Sequence, residues 1–421
     1  MKRIVCLGAL ALSASVPAMG QNSVTLYGLA DAGINYVSGQ DSAKTKLASG
    51  IMEGSKWGLK GNEDLGGGYR AVFTLESRVE LDTGANSNRT ASGSQLPDRF
   101  GFTAAQFGVP VLFQPTVDGL LGGINASVGS QIGVNLQNRL FDRQAFVGLV
   151  TPVGAVLMGR MYTPGYELFY LYDGMETQTS LSVAQIATLP PSVDIRRDNS
   201  IAYRIQKDGF TGTLTYSFGE QPGSASRGRY LGANFYYTAP TWGGGVGVAH
   251  NKNTAGETAL RNFVAGGFAE VGPGRLTLLF LKAKDENPEF VVPIRAALQT
   301  NLGGTPLAGL IGPIGDAYQD AFRQDAHLYH VGYRLRSGPH QVTFAYNHFN
   351  DRERDDADIS SYRAVYTYAF SKRTDVNFVL TRFDNDSNAQ AAPGGNGFFG
   401  GVTSEGGQDA HNVAIALRHR F

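Results

Sequence analysis

Cysteine is all but missing from this chain. The one present, Cys6, lies in the N-terminal leader. Without that leader the chain can form no disulfide, no thiolate metal site and no cysteine nucleophile. Charge is sparse as well, with Asp, Glu, Lys and Arg making up 17% of residues. The 36 basic and 36 acidic side chains balance, and losing Lys2 and Arg3 with the leader tips the remainder slightly acidic. That is not the composition of a nucleic-acid-binding protein. Beyond the leader no apolar run approaches the roughly 18 residues of a membrane-spanning helix. The chain also lacks a Gly-x-Ser-x-Gly elbow and a Gly-Lys-Ser/Thr phosphate loop. Those absences argue against hydrolase and nucleotide chemistry, and no enzyme activity, cofactor or metal is expected.

The leader itself is informative. Met1, Lys2 and Arg3 form a basic start, Ile4 to Ala14 an apolar core, and Ala18-Met19-Gly20 a small-residue cleavage signature before Gln21. This predicts a cleaved signal peptide over 1–20 and an exported chain over 21–421. Cys6 stands at the start of the apolar core, so a lipoprotein anchor is not expected.

The whole chain is rich in Gly (55), Phe (24) and Tyr (19), and its exported part shows the two-residue period of half-buried strands. In 69–80, Tyr69, Ala71, Phe73, Leu75 and Val79 oppose Arg70, Thr74, Glu76, Arg78 and Glu80. In 210–218, Phe210, Leu214, Tyr216 and Phe218 oppose Thr211, Thr213, Thr215 and Ser217. In 362–370, Tyr362, Tyr366, Tyr368 and Phe370 share a face, as in an aromatic girdle at a membrane interface. The final stretch sets Val413, Ile415, Leu417, His419 and Phe421 against Ala414, Ala416, Arg418 and Arg420. Similar segments at 23–37, 54–61, 143–150, 153–161, 198–206, 229–238, 242–250, 260–270, 275–284, 326–336, 340–349 and 374–383 bring the predicted strands to sixteen.

The connections sort by length. Seven tight ones (61–68, 151–152, 207–209, 239–240, 271–274, 337–339 and 371–373) alternate with eight long ones (38–53, 81–142, 162–197, 219–228, 251–259, 285–325, 350–361 and 384–410). A soluble sandwich gives no reason for such sorting. An all-β, transmembrane, antiparallel up-and-down β-barrel does, because one rim carries turns and the other carries outer loops. The last strand then pairs with the first, with Phe421 at the turn-bearing rim.

Several blocks resemble the general diffusion porins of Gram-negative bacteria, particularly those of β-proteobacteria. They are QNSVTLYGLADAGINYV at the mature start, SKWGLKGNEDLGGGYRAVFTLE (55–76), RQAFVGL (143–149), LMGRMYTPGYE (157–167), RRDNSIAY (196–203) and the terminal RHRF. The resemblance spans the exported chain. It implies a sixteen-stranded, homotrimeric channel in the outer membrane, in contact with lipid and lipopolysaccharide, that passes small hydrophilic solutes. It further implies that Phe421 is read by the barrel-assembly machinery and that the third long loop, 162–197, folds inward to narrow the pore. The basic ladder that such porins place opposite this loop falls on Lys56, Arg143 and Arg196. Lys56 departs from the family's usual Arg, keeping the charge but losing the planar fork. Arg70, Arg78, Arg160 and Arg197 are further candidates for the lumen, and Glu167, Asp173 and Glu176 are the available acids of the loop. Such a transverse field favours anions modestly. Arg418 and Arg420 are expected in the lumen but away from the narrowing.

Loops 81–142 and 285–325 are extended and apolar, with Leu112-Phe113, Leu120 to Ile124 and Leu307 to Ile314. They either pack over the mouth or against a neighbouring subunit, or they cover one another or form an extra short helix or hairpin. A mouth narrowed by them would make a substrate-selective channel, and an adhesin on a barrel scaffold is the reading from another class. His327 and His330 are three apart and so lie on opposite faces of a strand, unable to chelate one ion together. The charge-dense 351–358 reads as solvated. Among the glycine runs, 394–401 reads as a loop tip and 243–247 as a strand that allows close packing.

Overall fold

The computed structural model describes residues 23–40, 44–89, 92–175, 191–353, 357–393 and 401–421. Sixteen long strands follow one another around a barrel: β1 Ser23–Ser38, β2 Lys56–Gly66, β3 Tyr69–Arg78, β4 Gln144–Thr151, β5 Gly154–Tyr162, β6 Arg196–Lys207, β7 Phe210–Ser217 and β8 Tyr230–Thr238. The second half comprises β9 Trp242–Lys252, β10 Thr258–Val271, β11 Gly274–Asp285, β12 Gln324–Ser337, β13 His340–Asp351, β14 Ile359–Ala369, β15 Thr374–Asn385 and β16 Ala410–Arg420. Every neighbour is antiparallel, and β1 closes the ring by pairing with β16 from Leu29↔Arg420 to Ser38↔His411. A short extra strand, Lys44–Ser49, continues the edge of β2 along the upper half of β1.

All sixteen expected strands are found, most within one or two residues of their predicted ends. The main difference is β2. The tight connection expected at 61–68 is strand as far as Gly66, and the reversal is confined to Gly66, Gly67 and Gly68, all at positive φ. Asp64 Oδ1 accepts the Gly66 N–H at 2.9 Å, so the side chain starts the turn and the glycines supply its left-handed conformation.

Outward positions are apolar and exposed, among them Leu26, Ile34, Val147, Leu149, Phe235, Val248, Leu278, Phe344, Leu380 and Leu417. Positions between them on the same strands are buried and polar: Asp31, Asn35, Asn234, Thr277, Asn347, Asn377. Apolar outside and polar inside reverses a soluble protein and suits a wall between acyl chains and water. Among the described residues no helix is long and apolar enough to cross a membrane; the crossing segments are strands.

Among the described residues four α-helices lie in the long loops: α1 Gln114–Ser130, α2 Pro164–Tyr172, α3 Val291–Leu302 and α4 Ile311–Phe322. The apolar segments around Leu120 to Ile124 and Leu307 to Ile314 pack into a shared core, whereas Leu112 and Phe113 remain exposed. Val117, Leu121, Ile124 and Val128 of α1 join Ile294 and Leu298 of α3 and Ile314, Tyr318 and Phe322 of α4 in one buried cluster. Phe322 sits between the rings of Phe100 (4.5 Å) and Phe290 (5.2 Å). Each such side chain withdrawn from water stabilises the cap by roughly 1.5–3 kcal/mol.

Candidate pore constriction

The described residues of the third long loop, 163–175 and 191–195, enter the barrel. Thr163 caps α2, its hydroxyl accepting the Tyr166 N–H at 3.2 Å, and Pro164 occupies the first turn, where a missing N–H costs nothing. The apolar face of α2 (Leu168, Phe169, Tyr172) is buried against inward residues of β8 to β11, including Tyr236, Val264 and Leu279. Two wall glycines make that approach possible. A Cβ on Gly247 would stand 2.9 Å from Leu168 Cδ1, and one on Gly266 would stand 2.6 Å from Tyr172 Cδ2. Gly247 belongs to the run 243–247, and close packing is its role.

Polar anchors fix the helix. Glu167 accepts both terminal nitrogens of Arg204 (3.0 and 2.7 Å), the Asn234 amide (2.9 Å) and the Tyr236 hydroxyl (2.8 Å). Burial alone would raise the Glu167 pKa, but these donors outweigh it and hold the carboxyl below its ordinary value. Asp173 is buried at the end of α2 and accepts the Met175 N–H at 3.0 Å. Farther on, the Gly174 N–H donates to His330 Nε2 at 3.0 Å, and His330 Nδ1 meets Asn347 Oδ1 at 2.8 Å. His330 is thus an interior anchor, whereas His327 lies against Phe280 on the outside, the two faces expected from their spacing. Glu176 lies outside the described residues.

A second segment folds inward. Asp31 accepts the N–H groups of Ile51, Met52 and Glu53 at 3.1, 3.0 and 2.9 Å, drawing residues 50–55 into the lumen. Ile51 and Met52 join Met175 in covering Ala345, Val365, Val379, Ala414 and Ala416, the inner wall of β13 to β16.

What stays uncovered is the wall from β2 to β7, and the basic residues converge there. Arg143 is fully buried; its Nε donates to Glu76 Oε1 at 2.7 Å and its Nη2 to the Tyr162 hydroxyl at 3.0 Å. Arg196 Nη2 donates to the same hydroxyl at 2.9 Å while its guanidinium lies 4.6 Å from the Tyr162 ring centre. One phenolic oxygen therefore gathers two cations. Tyr27 donates to the other oxygen of Glu76 at 3.0 Å, reaching across Gly58, where a Cβ would come within 2.9 Å of the Tyr27 ring.

Lys56 Nζ pairs with Glu53 at 2.7 Å. Glu53 also draws Arg418 (4.0 Å) and Arg420 (3.8 Å), which share Asp375. Its carboxyl is held below the ordinary value: burial would raise it, and Lys56, Arg418 and Arg143 overcome that. The two terminal arginines, expected away from the narrowing, are thus linked to Lys56 through a loop residue. Strand alternation shows that they face inward; it does not show that residues 50–55 fold down to meet them.

The other candidates extend the basic wall in both directions. Toward the long loops, Arg78 is buried with Glu80 (3.2 Å) and Asp142 (3.5 Å), Arg160 pairs with Asp198, and Arg197 pairs with Asp194 at 2.7 Å while facing the Tyr230 ring at 5.4 Å. Arg78, Arg139, Arg160 and Arg196 line a cavity of about 580 Å³ together with Asp142 and Asp194. Toward the short turns, Arg70, Lys60, Arg204 and Lys207 line a cavity of about 860 Å³ that has no carboxylate in its lining. Phe421 is half exposed outside the barrel, its backbone paired with Gly28, where a Cβ would strike the Phe421 ring.

Sequence reasoning did not single out Glu76, Tyr162, Glu53 or Arg204. Glu76 was visible only as a polar-face member of its strand. Tyr162 stood at a loop boundary, and a register shift between Gly159 and Met161 re-aims the residues that follow.

The model of the Gram-negative porin family matches residues 7–388. The outer membrane porin protein 32 of Delftia acidovorans is 25% identical over 437 residues, covering 100% of this chain and 99% of the relative. Among solved structures, the anion-selective porin from Comamonas acidovorans has a TM-score of 0.67 at 20% identity, over 95% of this chain and all of that one. The trimer form of OmpT from Vibrio cholerae has a TM-score of 0.56 at 14% identity, over 95% and 99% of the two chains.

Proposed function

The chain belongs to the Gram-negative porin family, and on that premise we propose that it is a water-filled outer-membrane channel through which small hydrophilic solutes diffuse passively, with a modest preference for anions. The observation that carries the preference is the convergence of Arg143 and Arg196 on Tyr162 in the uncovered half of the lumen. Cations continue above it (Arg78, Arg139, Arg160) and below it (Lys60, Arg70, Lys207). The cations at and above Tyr162 are partly offset: Glu76 faces Arg143, Glu53 faces Lys56, and the acids Asp142, Asp194 and Asp198 sit among the upper arginines. The residual field is positive but small, which is why the preference is modest.

An anion entering this region exchanges hydration for guanidinium and ammonium donors fixed on strands. A cation meets the same groups as repulsion, and an apolar solute loses hydration with nothing in return. No chemical step and no cofactor is involved. The working unit is a homotrimer in contact with lipid and lipopolysaccharide. It reaches the outer membrane by export with cleavage of 1–20 and by assembly machinery that reads the strand ending in Phe421. Glu167 and Asp173 shape the narrowing by holding α2 in place, Lys56 and Arg196 face the passing solute, and the fully buried Arg143 contributes its charge from beside Glu76.

Purified protein in a planar bilayer tests this. Conductance should rise in triplets, and the reversal potential in a salt gradient should report chloride over potassium. Cation preference would overturn the ladder and leave the channel standing, whereas absence of conductance would overturn the channel.

A further inference from the structure

The helical cap deepens the channel reading on which it rests, because of where its halves originate. Arg78 and Gln144, the feet of the α1 loop, stand on β3 and β4; Asp285 and Gln324, the feet of the α3–α4 loop, stand on β11 and β12. In a ring of sixteen strands these feet are eight strands apart, so they stand on opposite walls. A barrel of that size is about 30 Å across, taking neighbouring strands at about 4.8 Å and the usual tilt. Two loops rooted on opposite walls and sharing one apolar core must meet above the opening.

Their contacts are those of a folded unit. The Arg99 Nε donates to the Ala321 carbonyl at 2.9 Å, the Tyr318 hydroxyl donates to Asn125 Oδ1 at 2.7 Å, and Phe102 meets Tyr318 edge-on at 5.0 Å. Burial in this core raises the Tyr318 hydroxyl pKa well above its ordinary value. A third foot comes from the loop between β15 and β16: the Asp98 N–H donates to Gln390 Oε1 (2.6 Å), the Gln95 amide to the Thr403 carbonyl (3.1 Å), and the Val402 N–H to Ser92 Oγ (2.8 Å). Below the cap, residues 130–137, leaving α1, form one side of the arginine-lined cavity of about 580 Å³ above Arg196.

We propose that this cap is a fixed roof acting as a second filter, one that sets the size limit of the channel, while the residues around Tyr162 set its charge preference. Solutes enter beside the roof and pass through the arginine-lined antechamber before they meet the constriction. The volume of that chamber lies within the range of roughly 300–1,000 Å³ that accommodates drug-sized molecules. The selected class is therefore small anionic or polar solutes, with larger oligosaccharides stopped at the roof before they reach α2.

The test separates size from charge. Residues 289–320 are replaced by a short Gly-Ser linker in one variant. In a second, Leu298→Asp opens the roof without shortening the chain. Each is compared with the intact protein by swelling of proteoliposomes in sugars from pentose to tetrasaccharide and by reversal potential in a salt gradient. Both variants should admit tri- and tetrasaccharides several-fold faster relative to pentose, with an unchanged reversal potential. An unchanged size profile in folded, conducting variants would overturn the roof and return the limit to the constriction. A shifted reversal potential would overturn the separation of the two filters. An intact protein that passes no pentose would instead sink the channel reading beneath it.

Discussion

The two halves of the lumen wall differ although their strands read alike. From β8 to β16 the inner face is covered: α2 lies on β8 to β11, and Met175, Ile51 and Met52 lie on β13 to β16. From β2 to β7 it faces open cavities lined by Lys60, Arg70, Arg78, Arg160 and Arg196. Both halves present apolar residues outward toward lipid, but inward the covered half also carries Tyr236, Val264, Leu279, Val365 and Val379 as seats for the loops. The covered half carries glycine and alanine where a loop must approach (Gly247, Gly266, Ala345, Ala414). The open half carries long cations where water must remain. Selectivity in such a barrel thus arises from asymmetry: packing closes one side, and charge works on the other.

The sharpest way to break this comparison is to discharge the open side. Joint replacement Lys56→Ala, Arg143→Ala and Arg196→Ala should shift the preference toward cations, because Glu76 then loses Arg143 and Glu53 keeps only the more distant Arg418 and Arg420. Reversal potentials measure it, and an unchanged value would show that these residues do not govern passage. The next largest effect belongs to the covered side. Phe169→Ala removes a fully buried ring from the seat of α2, a change that costs about 3–5 kcal/mol in well-packed cores. Single-channel conductance should rise and become noisier as the helix loosens, with charge preference little altered; an unchanged trace would show that α2 does not limit the pore.

Acidification should act through the same seat. The Glu167 carboxyl is held below its ordinary value, so the stability it contributes is fully present above the unfolded value of about 4.3 and is lost as pH falls through the lower folded value. Conductance should stay level from neutrality to that point and then become noisy. Glu167→Gln should abolish this transition; persistence of the transition in that variant would place its origin elsewhere. The smallest effect expected is from Tyr162→Phe, which removes the oxygen shared by Arg143 and Arg196 but no formal charge. The reversal potential should shift in the same sense as the triple variant and by much less. A shift as large as that of the triple variant would mean that geometry, rather than charge, carries the preference.

Much of the barrel was legible in the sequence because alternation is local: each strand reports its own two faces, and sorted loop lengths report the order of the rims. The candidate cations were legible through motif blocks that mark positions on strands. Their counter-charges were not. Glu53 reaches Lys56, Arg418 and Arg420 only because Asp31 gathers three N–H groups of a loop, and Arg204 meets Glu167 only because Thr163 and Pro164 start a helix that turns inward. The cap was visible as surplus apolar residues, but a list of leucines does not say which other loop they will touch.

The sequence by itself determined a chain of sixteen strands with lipid on one side and a polar interior on the other, since that follows from a two-residue period and from turn chemistry. It also determined the sign of the residues available to the interior. Only the tertiary structure decided which half of the interior stays open, which carboxylates mute which cations, and that loops from opposite walls meet over the mouth. Those outcomes depend on contacts between residues far apart in the chain, and such contacts leave no periodic trace in the segments that make them.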